Sequence, residues 1–88
     1  MKHAEIVLRN MCKFVDADYD SIDFTHPTWF WTYQWDNKTQ DTFISWLTDY
    51  LYNDKDARKE LMRHPRKKRK ECERAAVFFV WNYGWKLK

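Results

Sequence analysis

The chain has 88 residues and a formal net charge of +3, which gives residues 1–88 room for one small domain and not for a second. Its 19% aromatic content includes six tryptophans, so large rings can fill the core of so short a domain. Two cysteines are too few for a disulfide framework, and no run of about eighteen apolar residues could cross a membrane. The N-terminus lacks the apolar segment of a signal peptide, so we expect a cytoplasmic protein with free thiols.

The charge is unevenly distributed along the chain. Residues 1–44 hold four lysines and arginines against seven aspartates and glutamates, whereas residues 45–88 hold twelve against six. The two halves therefore either pair with each other or form two faces of opposite potential.

Helical periodicity predicts a first helix over residues 2–15, followed by an aspartate-rich connection. The apolar side chains of this helix recur at the spacing of one helical face: Val7, Leu8, Met11, Phe14 and Val15. Residues 16–27 end at a proline and predict a connection with at most one short turn.

The stretch from residue 28 to residue 35 is the most aromatic in the chain. Its rings alternate with other residues, which is the period of a strand, but the preceding Pro27 equally suits the first turn of a helix. A lone strand needs a partner, and the only other β-prone run, residues 77–81, is assigned to a helix. We therefore expect an extended or turn-like segment that packs across a helical core.

The next two helices are predicted on either side of a polar break near residue 53. The first of them starts after Asp36 or Asn37, either of which can cap it. Its apolar face consists of Phe43, Trp46, Leu47, Tyr50 and Leu51. A short charged helix over residues 54–63 follows and ends before Pro65, because the residue before a proline disfavours helical geometry.

A fourth helix is expected to start at Pro65, where the missing N–H has no cost, and to end at Gly84, the only glycine. Residues 75–81 are apolar on every side, so we expect them to be buried as the central strut of the fold. The elements together predict an all-α fold, a compact domain of three to four helices with the aromatic segment packed across it. Its core should contain Phe43, Trp46, Leu47, Tyr50, Ala76 and Phe79.

Four stretches between residues 27 and 88 stand out by the spacing of their aromatic residues: PTWF, YQWDNKTQDTFISWLTDYLY, ARKELMRHP and NYGWK. In this spacing the chain resembles small uncharacterised proteins encoded by tailed bacteriophages. The resemblance implies a small helical accessory protein in the cytoplasm of a bacterial host, and some such proteins bind and divert host machinery. It implies no catalytic residue.

The residues that could support catalysis or metal binding lack the patterns that these functions need. A phosphate-binding loop requires several glycines, and neither Ser21 nor Ser45 lies in a nucleophile elbow. No two of the histidines and cysteines have the spacing of a zinc site. Residues 16–27 have aspartates at three positions of a calcium loop, but serine and proline stand where glycine and glutamate are required. We therefore expect no enzyme activity, no metal and no cofactor.

A run of basic residues is the strongest local signal for a partner. Six of the eight positions from 63 to 70 are cationic, and the run falls where the dipole of the fourth helix disfavours positive charge. A solvated surface is the simplest interpretation, but a feature that lowers stability also suggests a functional role with phosphate or an acidic protein surface. The residues expected to contact this partner are Arg63, Arg66, Lys67, Lys68, Arg69, Lys70 and Arg74.

Aromatic side chains outside the core are the second candidate contact. Three adjacent residues cannot all be buried on one face of a helix or strand, so at least one of Trp29, Phe30 and Trp31 should point away from its own element. Together with Trp85 near the C-terminus, such a ring could anchor a protein or stack on nucleic-acid bases.

Two functions from different classes remain open on the sequence alone. The leading expectation is a non-enzymatic small binding protein that engages a host macromolecule, a protein in preference to a nucleic acid, as a host-takeover or counter-defence inhibitor. The alternative is a small RNA- or DNA-binding protein that uses the basic run. The sequence predicts no membrane partner and leaves the oligomeric state open.

Overall fold

A computed structural model describes residues 2–21 and 36–86, and in the last helix it describes the side chains as far as residue 80. The helices are α1 (Lys2–Phe14), α2 (Asn37–Asn53), α3 (Lys55–Leu61) and α4 (Arg69–Lys86), with a short 3-10 turn at Tyr19–Ser21. No strand occurs within these described ranges, so the prediction of an all-α fold is confirmed. The segment predicted to pack across the core, residues 25–35, lies outside the described residues.

Two aspartates fix the starts of α2 and α3. Asp36 caps α2 as predicted, because its Oδ1 accepts a hydrogen bond from the N–H of Thr39 at 2.7 Å. Asp54 separates α2 from α3 and caps α3 by accepting from the N–H of Ala57 at 3.0 Å. These backbone hydrogen bonds are the main cause that lowers the pKa of both carboxyl groups, since they stabilise the charged form.

Helix α1 ends one residue earlier than predicted, in a turn that usually contains glycine. Asp16 adopts a positive φ of 56°. The N–H of Ala17 donates to the carbonyl of Cys12 at 2.8 Å, and the N–H of Asp16 donates to the carbonyl of Lys13 at 3.4 Å. This pair of bonds is the Schellman pattern, and aspartate is one of the few residues besides glycine that enter the left-handed region.

The start of α1 is held by a residue from α3. The carboxylate of Glu60 accepts from the N–H of His3 at 3.2 Å and from the N–H of Ala4 at 2.8 Å. The His3 ring lies 2.7 Å from the hydroxyl of Tyr50, measured from Nδ1. A negative charge at a helix N-terminus stabilises the helix, so Glu60 both caps α1 and ties it to α3.

Helix α2 is the centre of the fold, because it packs against each of the other three helices. The core prediction is confirmed: Phe43, Leu47, Ala76 and Phe79 are buried, and Trp46 and Tyr50 are mostly buried against them. The rings of Trp46 and Tyr50 stack with 5.3 Å between centroids. Helix α1 adds its predicted apolar face, in which Val7, Leu8 and Met11 are buried.

Helix α4 starts later than predicted. It begins at Arg69 rather than at Pro65, because the preceding residues form two tight turns. In these turns the carbonyl of His64 accepts from the N–H of Arg66 at 2.7 Å, and the carbonyl of Arg66 accepts from the N–H of Lys68 at 2.9 Å. Most of the basic run therefore precedes the helix, which keeps those cations out of its positive N-terminal turn.

The apolar part of α4 is not the buried central strut that was predicted for residues 75–81. Helix α4 packs mainly against α2, and successive side chains on a helix are about 100° apart. Ala76 is therefore buried, whereas Val77 is 37% exposed and Phe78 is 48% exposed. The helix also continues through Gly84, which is not its C-cap as predicted.

Candidate functional site

An apolar groove lies between the end of α3 and the outer side of α4. Its volume of about 300 Å³ is at the lower limit of small-molecule sites, about 300–1,000 Å³. Its apolar lining consists of Leu61, Met62, Ala75, Phe78 and Phe79. Its polar rim consists of Arg63, His64, Glu71 and Arg74. The groove therefore suits one or two side chains better than a large ligand.

The local sequence positions both walls of the groove. Helix α3 ends at Leu61, and Met62 is extended, with its N–H bonded to the carbonyl of Arg58 at 2.9 Å. Pro65 prevents the chain from resuming a helix at once, so residues 61–64 form one wall. The α4 residues of the other wall follow at spacings of three and four, which places them along one helical face: Glu71, Arg74, Ala75 and Phe78.

The predicted cationic residues are all exposed: Arg63, Arg66, Lys67, Lys68, Arg69, Lys70 and Arg74. Six of them belong to residues 63–70, here named the basic segment, and Arg74 lies one turn further along α4. The structure brings two of the seven to the groove, because only Arg63 and Arg74 line it. The basic segment and the groove therefore form one continuous surface that meets at Arg63.

An aromatic ring and a carboxylate on α2 hold the basic segment in place. The Nζ atom of Lys67 lies 5.2 Å from the ring centroid of Tyr52, and the guanidinium carbon of Arg69 lies 5.8 Å from the same centroid. Cations over an aromatic face are attracted by its electron density. Arg69 also hydrogen-bonds to Asp49, and this bond is the main cause that raises the pKa of Arg69.

The two thiols are buried and free, as expected. The Sγ atom of Cys72 lies 3.9 Å from the carbonyl oxygen of Arg66 and 4.0 Å from the Sδ atom of Met62, so it packs beneath both parts of the surface. Burial is the main cause that raises the pKa of Cys72 and of Cys12. Both thiols therefore stay protonated near neutral pH, which makes them poor nucleophiles.

The arginines at the groove differ from three others in the fold. Arg9 pairs with Glu5, Arg58 donates to two backbone carbonyls, and Arg69 pairs with a carboxylate. Within residues 2–21 and 36–80, the side chains of Arg63 and Arg74 form no hydrogen bond and no ion pair. Their charges are therefore available to a ligand of opposite sign.

The structure does not test the aromatic contacts predicted from the sequence. Trp29, Phe30 and Trp31 lie outside the described residues, and the side chain of Trp85 is likewise not among those described. The exposed ring at the groove is Phe78, which the sequence analysis placed in a buried strut. The sequence already indicated the exposure of Phe78, because two residues on, the helix presents a different side from that of the buried Ala76.

The described residues contain no group of three or more histidine, cysteine, aspartate or glutamate side chains that could hold a metal ion. In the same part of the chain, no helix is long and apolar enough to cross a membrane. No protein-family model, curated protein or solved structure matches this chain.

Proposed function

We propose that this chain is a non-enzymatic binding protein whose partner is a protein with an acidic surface. The observation that carries the proposal is the continuity of the apolar groove with the exposed basic segment. Protein interfaces combine an apolar centre with a polar rim, and arginine and aromatic residues contribute much of their binding energy. The groove supplies the apolar centre, and the basic segment extends its rim.

The groove favours a protein over a nucleic acid as the partner. A single-stranded nucleic acid is held by cations that follow its phosphates and by ring faces that stack on its bases. The groove is instead a recess lined by Leu61, Met62 and Ala75 together with the two phenylalanines, which suits an inserted apolar side chain. The six exposed cations of the basic segment keep RNA or DNA as the second candidate.

The resemblance of residues 27–88 to bacteriophage proteins supports a bacterial host protein as the partner. A small chain that covers a functional surface of a larger protein inhibits it without any chemistry of its own. We therefore propose that the chain acts as a host-takeover or counter-defence inhibitor through this surface.

Affinity capture from a bacterial lysate, with and without nuclease, tests the proposal. A tagged wild-type chain should retain one host protein after nuclease treatment, and the purified pair should bind in isolation. The variant Lys67→Glu, Lys68→Glu, Lys70→Glu should lose that protein. A control variant reverses three exposed lysines elsewhere: Lys13→Glu, Lys38→Glu, Lys55→Glu. Its net charge changes by the same amount, but it should still retain the host protein because the basic segment is unchanged.

A different result would favour the nucleic-acid alternative. If nuclease removes every captured protein and the chain binds oligonucleotides, the partner is RNA or DNA. Binding should then weaken steeply with salt, because each neutralised phosphate adds about 0.7–0.9 to the slope of log affinity against log salt.

A further inference from the structure

We propose that the groove receives one large apolar side chain of an acidic peptide segment, and that Arg63 and Arg74 bind carboxylates on either side of this anchor. The inference rests on the proposed function and specifies its partner: a linear stretch with a bulky apolar residue and nearby aspartates or glutamates. The residues that line the groove would then determine specificity.

The size and lining of the groove determine which side chain it can accept as an anchor. About 300 Å³ of space bounded by Met62, Ala75 and Phe79 cannot take a whole helix face, but it takes one bulky side chain. Met62 and Phe79 are 8% and 5% exposed, so this floor is fixed by the core and is preformed. Burial of one large apolar side chain removes its surface from water, which favours binding and orients a short segment.

The charges at the rim determine which peptide residues can flank the anchor. Arg63 lies on the α3 side and Arg74 on the α4 side, and neither has a partner among the described side chains. A guanidinium binds a carboxylate through two parallel hydrogen bonds, so each arginine can hold one acidic residue. Glu71 lies on the same wall as Arg74 and repels carboxylates there, which restricts the acidic flanks to the two arginines.

The charge of the rim also disfavours a second copy of this chain as the occupant. Another exposed apolar residue is Ile6, 39% exposed in α1. Its neighbours on the helix surface include Lys2 and Arg9, so it does not present an acidic anchor segment. A separate acidic peptide matches the groove better than this face does.

Selection of short random peptides on the immobilised wild-type chain tests the inference. In each round, peptides that also bind the Phe78→Ser variant of the chain are removed. The enriched sequences should combine a large apolar residue with nearby aspartate or glutamate. Synthetic copies, measured by fluorescence anisotropy, should lose about tenfold or more in affinity with Phe78→Ser and with Arg63→Glu, Arg74→Glu, since tenfold corresponds to about 1.4 kcal/mol.

Matched control variants distinguish an effect of the groove from a general effect of changed charge or lost apolar surface. Phe78→Leu keeps an apolar side chain and should retain most of the affinity. Ile6→Ser and the pair Lys13→Glu, Lys38→Glu make the same kinds of change on other exposed surfaces and should leave the affinity unchanged. Circular dichroism should show the same helix content for every variant that is compared.

Several outcomes would overturn the inference. These are no enrichment, enrichment of peptides without acidic residues, or affinities that the groove variants do not change. A dimer that dissociates with Phe78→Ser, seen by light scattering, would make a second copy the occupant. If the captured host protein still requires the basic segment but tolerates both groove variants, the proposed function stands and this inference alone is wrong.

Discussion

Replacement of Arg58 by methionine tests the contact that joins α2 to α3. Arg58 lies in α3, is 8% exposed, and donates from Nη1 to the carbonyls of Leu51 at 3.0 Å and Tyr52 at 2.8 Å. These carbonyls belong to the end of α2, where a helix leaves its last carbonyl groups without partners. The guanidinium therefore caps α2 and fixes the direction in which α3 leads to the groove.

Two opposing effects determine how much stability this residue contributes. Hydrogen bonds from a charged donor contribute about 1.5–3 kcal/mol each, and a cation at a helix C-terminus adds about 0.3–1 kcal/mol. Against this, removing the guanidinium from water costs several kcal/mol, and its buried Nε has no hydrogen-bond partner in the part of the chain described. We expect Arg58→Met to lower the free energy of unfolding by about 1–3 kcal/mol, because the buried Leu51 carbonyl and the partly buried Tyr52 carbonyl lose their donor.

Urea unfolding followed by circular dichroism measures this difference. Arg58→Lys is the control, because it keeps the charge but replaces the planar group with a single ammonium, and it should fall between the wild type and Arg58→Met. If Arg58→Met is as stable as the wild type or more stable, desolvation outweighs the hydrogen bonds. Arg58 would then not be a stabilising cap.

Three further changes test the fold. Asp16→Gly should raise the free energy of unfolding in urea by about 0.5–1 kcal/mol, because glycine adopts a positive φ freely; a decrease would contradict this. Phe43→Ala should lower it by about 3–5 kcal/mol, because the ring is fully buried; a loss below about 1 kcal/mol would place Phe43 outside the core. The lowered pKa of Asp36 means that its contribution is present above the unfolded pKa, near 3.8, and is lost as pH falls through the folded pKa. The difference in melting temperature between wild type and Asp36→Ala should therefore shrink below pH 3.8, and a constant difference would exclude the charged cap.

The sequence was sufficient for the elements whose signals are local. Helix α2 has both an apolar face at helical spacing and a capping aspartate at its start, and both are found in the structure. Helix α3 ends before Pro65, as predicted, but it ends at Leu61 rather than at residue 63, so only the approximate position of its end was predicted.

The errors concern features that depend on distant neighbours. A helix that is apolar on every side indicates burial, but Phe78 is exposed because α4 packs mainly against α2. The carboxylate that caps α1 comes from Glu60, more than fifty positions away, so no local pattern contains it.

The candidate site was predictable in part for the same reason. The cationic run lies in one continuous segment that is visible in the sequence, and all of its cations are exposed in the structure, while their contact with a partner stays a prediction. The groove forms only when residues 61–64 meet the outer face of α4, which the sequence pattern does not show. The contacts proposed for Trp29, Phe30, Trp31 and Trp85 stay predictions.

Hydrogen-exchange mass spectrometry of the chain, free and bound to its captured protein partner, tests the proposed binding surface most directly. Within residues 62–68, which lie outside regular helix, the amides of Arg63, His64 and Lys67 donate no backbone hydrogen bond to any described residue, so they should exchange quickly in the free chain and slow strongly when the partner covers them. We expect this protection to extend along α4 to residue 80 and to leave α1 unchanged. Protection centred on α1, or unchanged exchange in residues 62–68 of the bound chain, would show that the partner binds elsewhere.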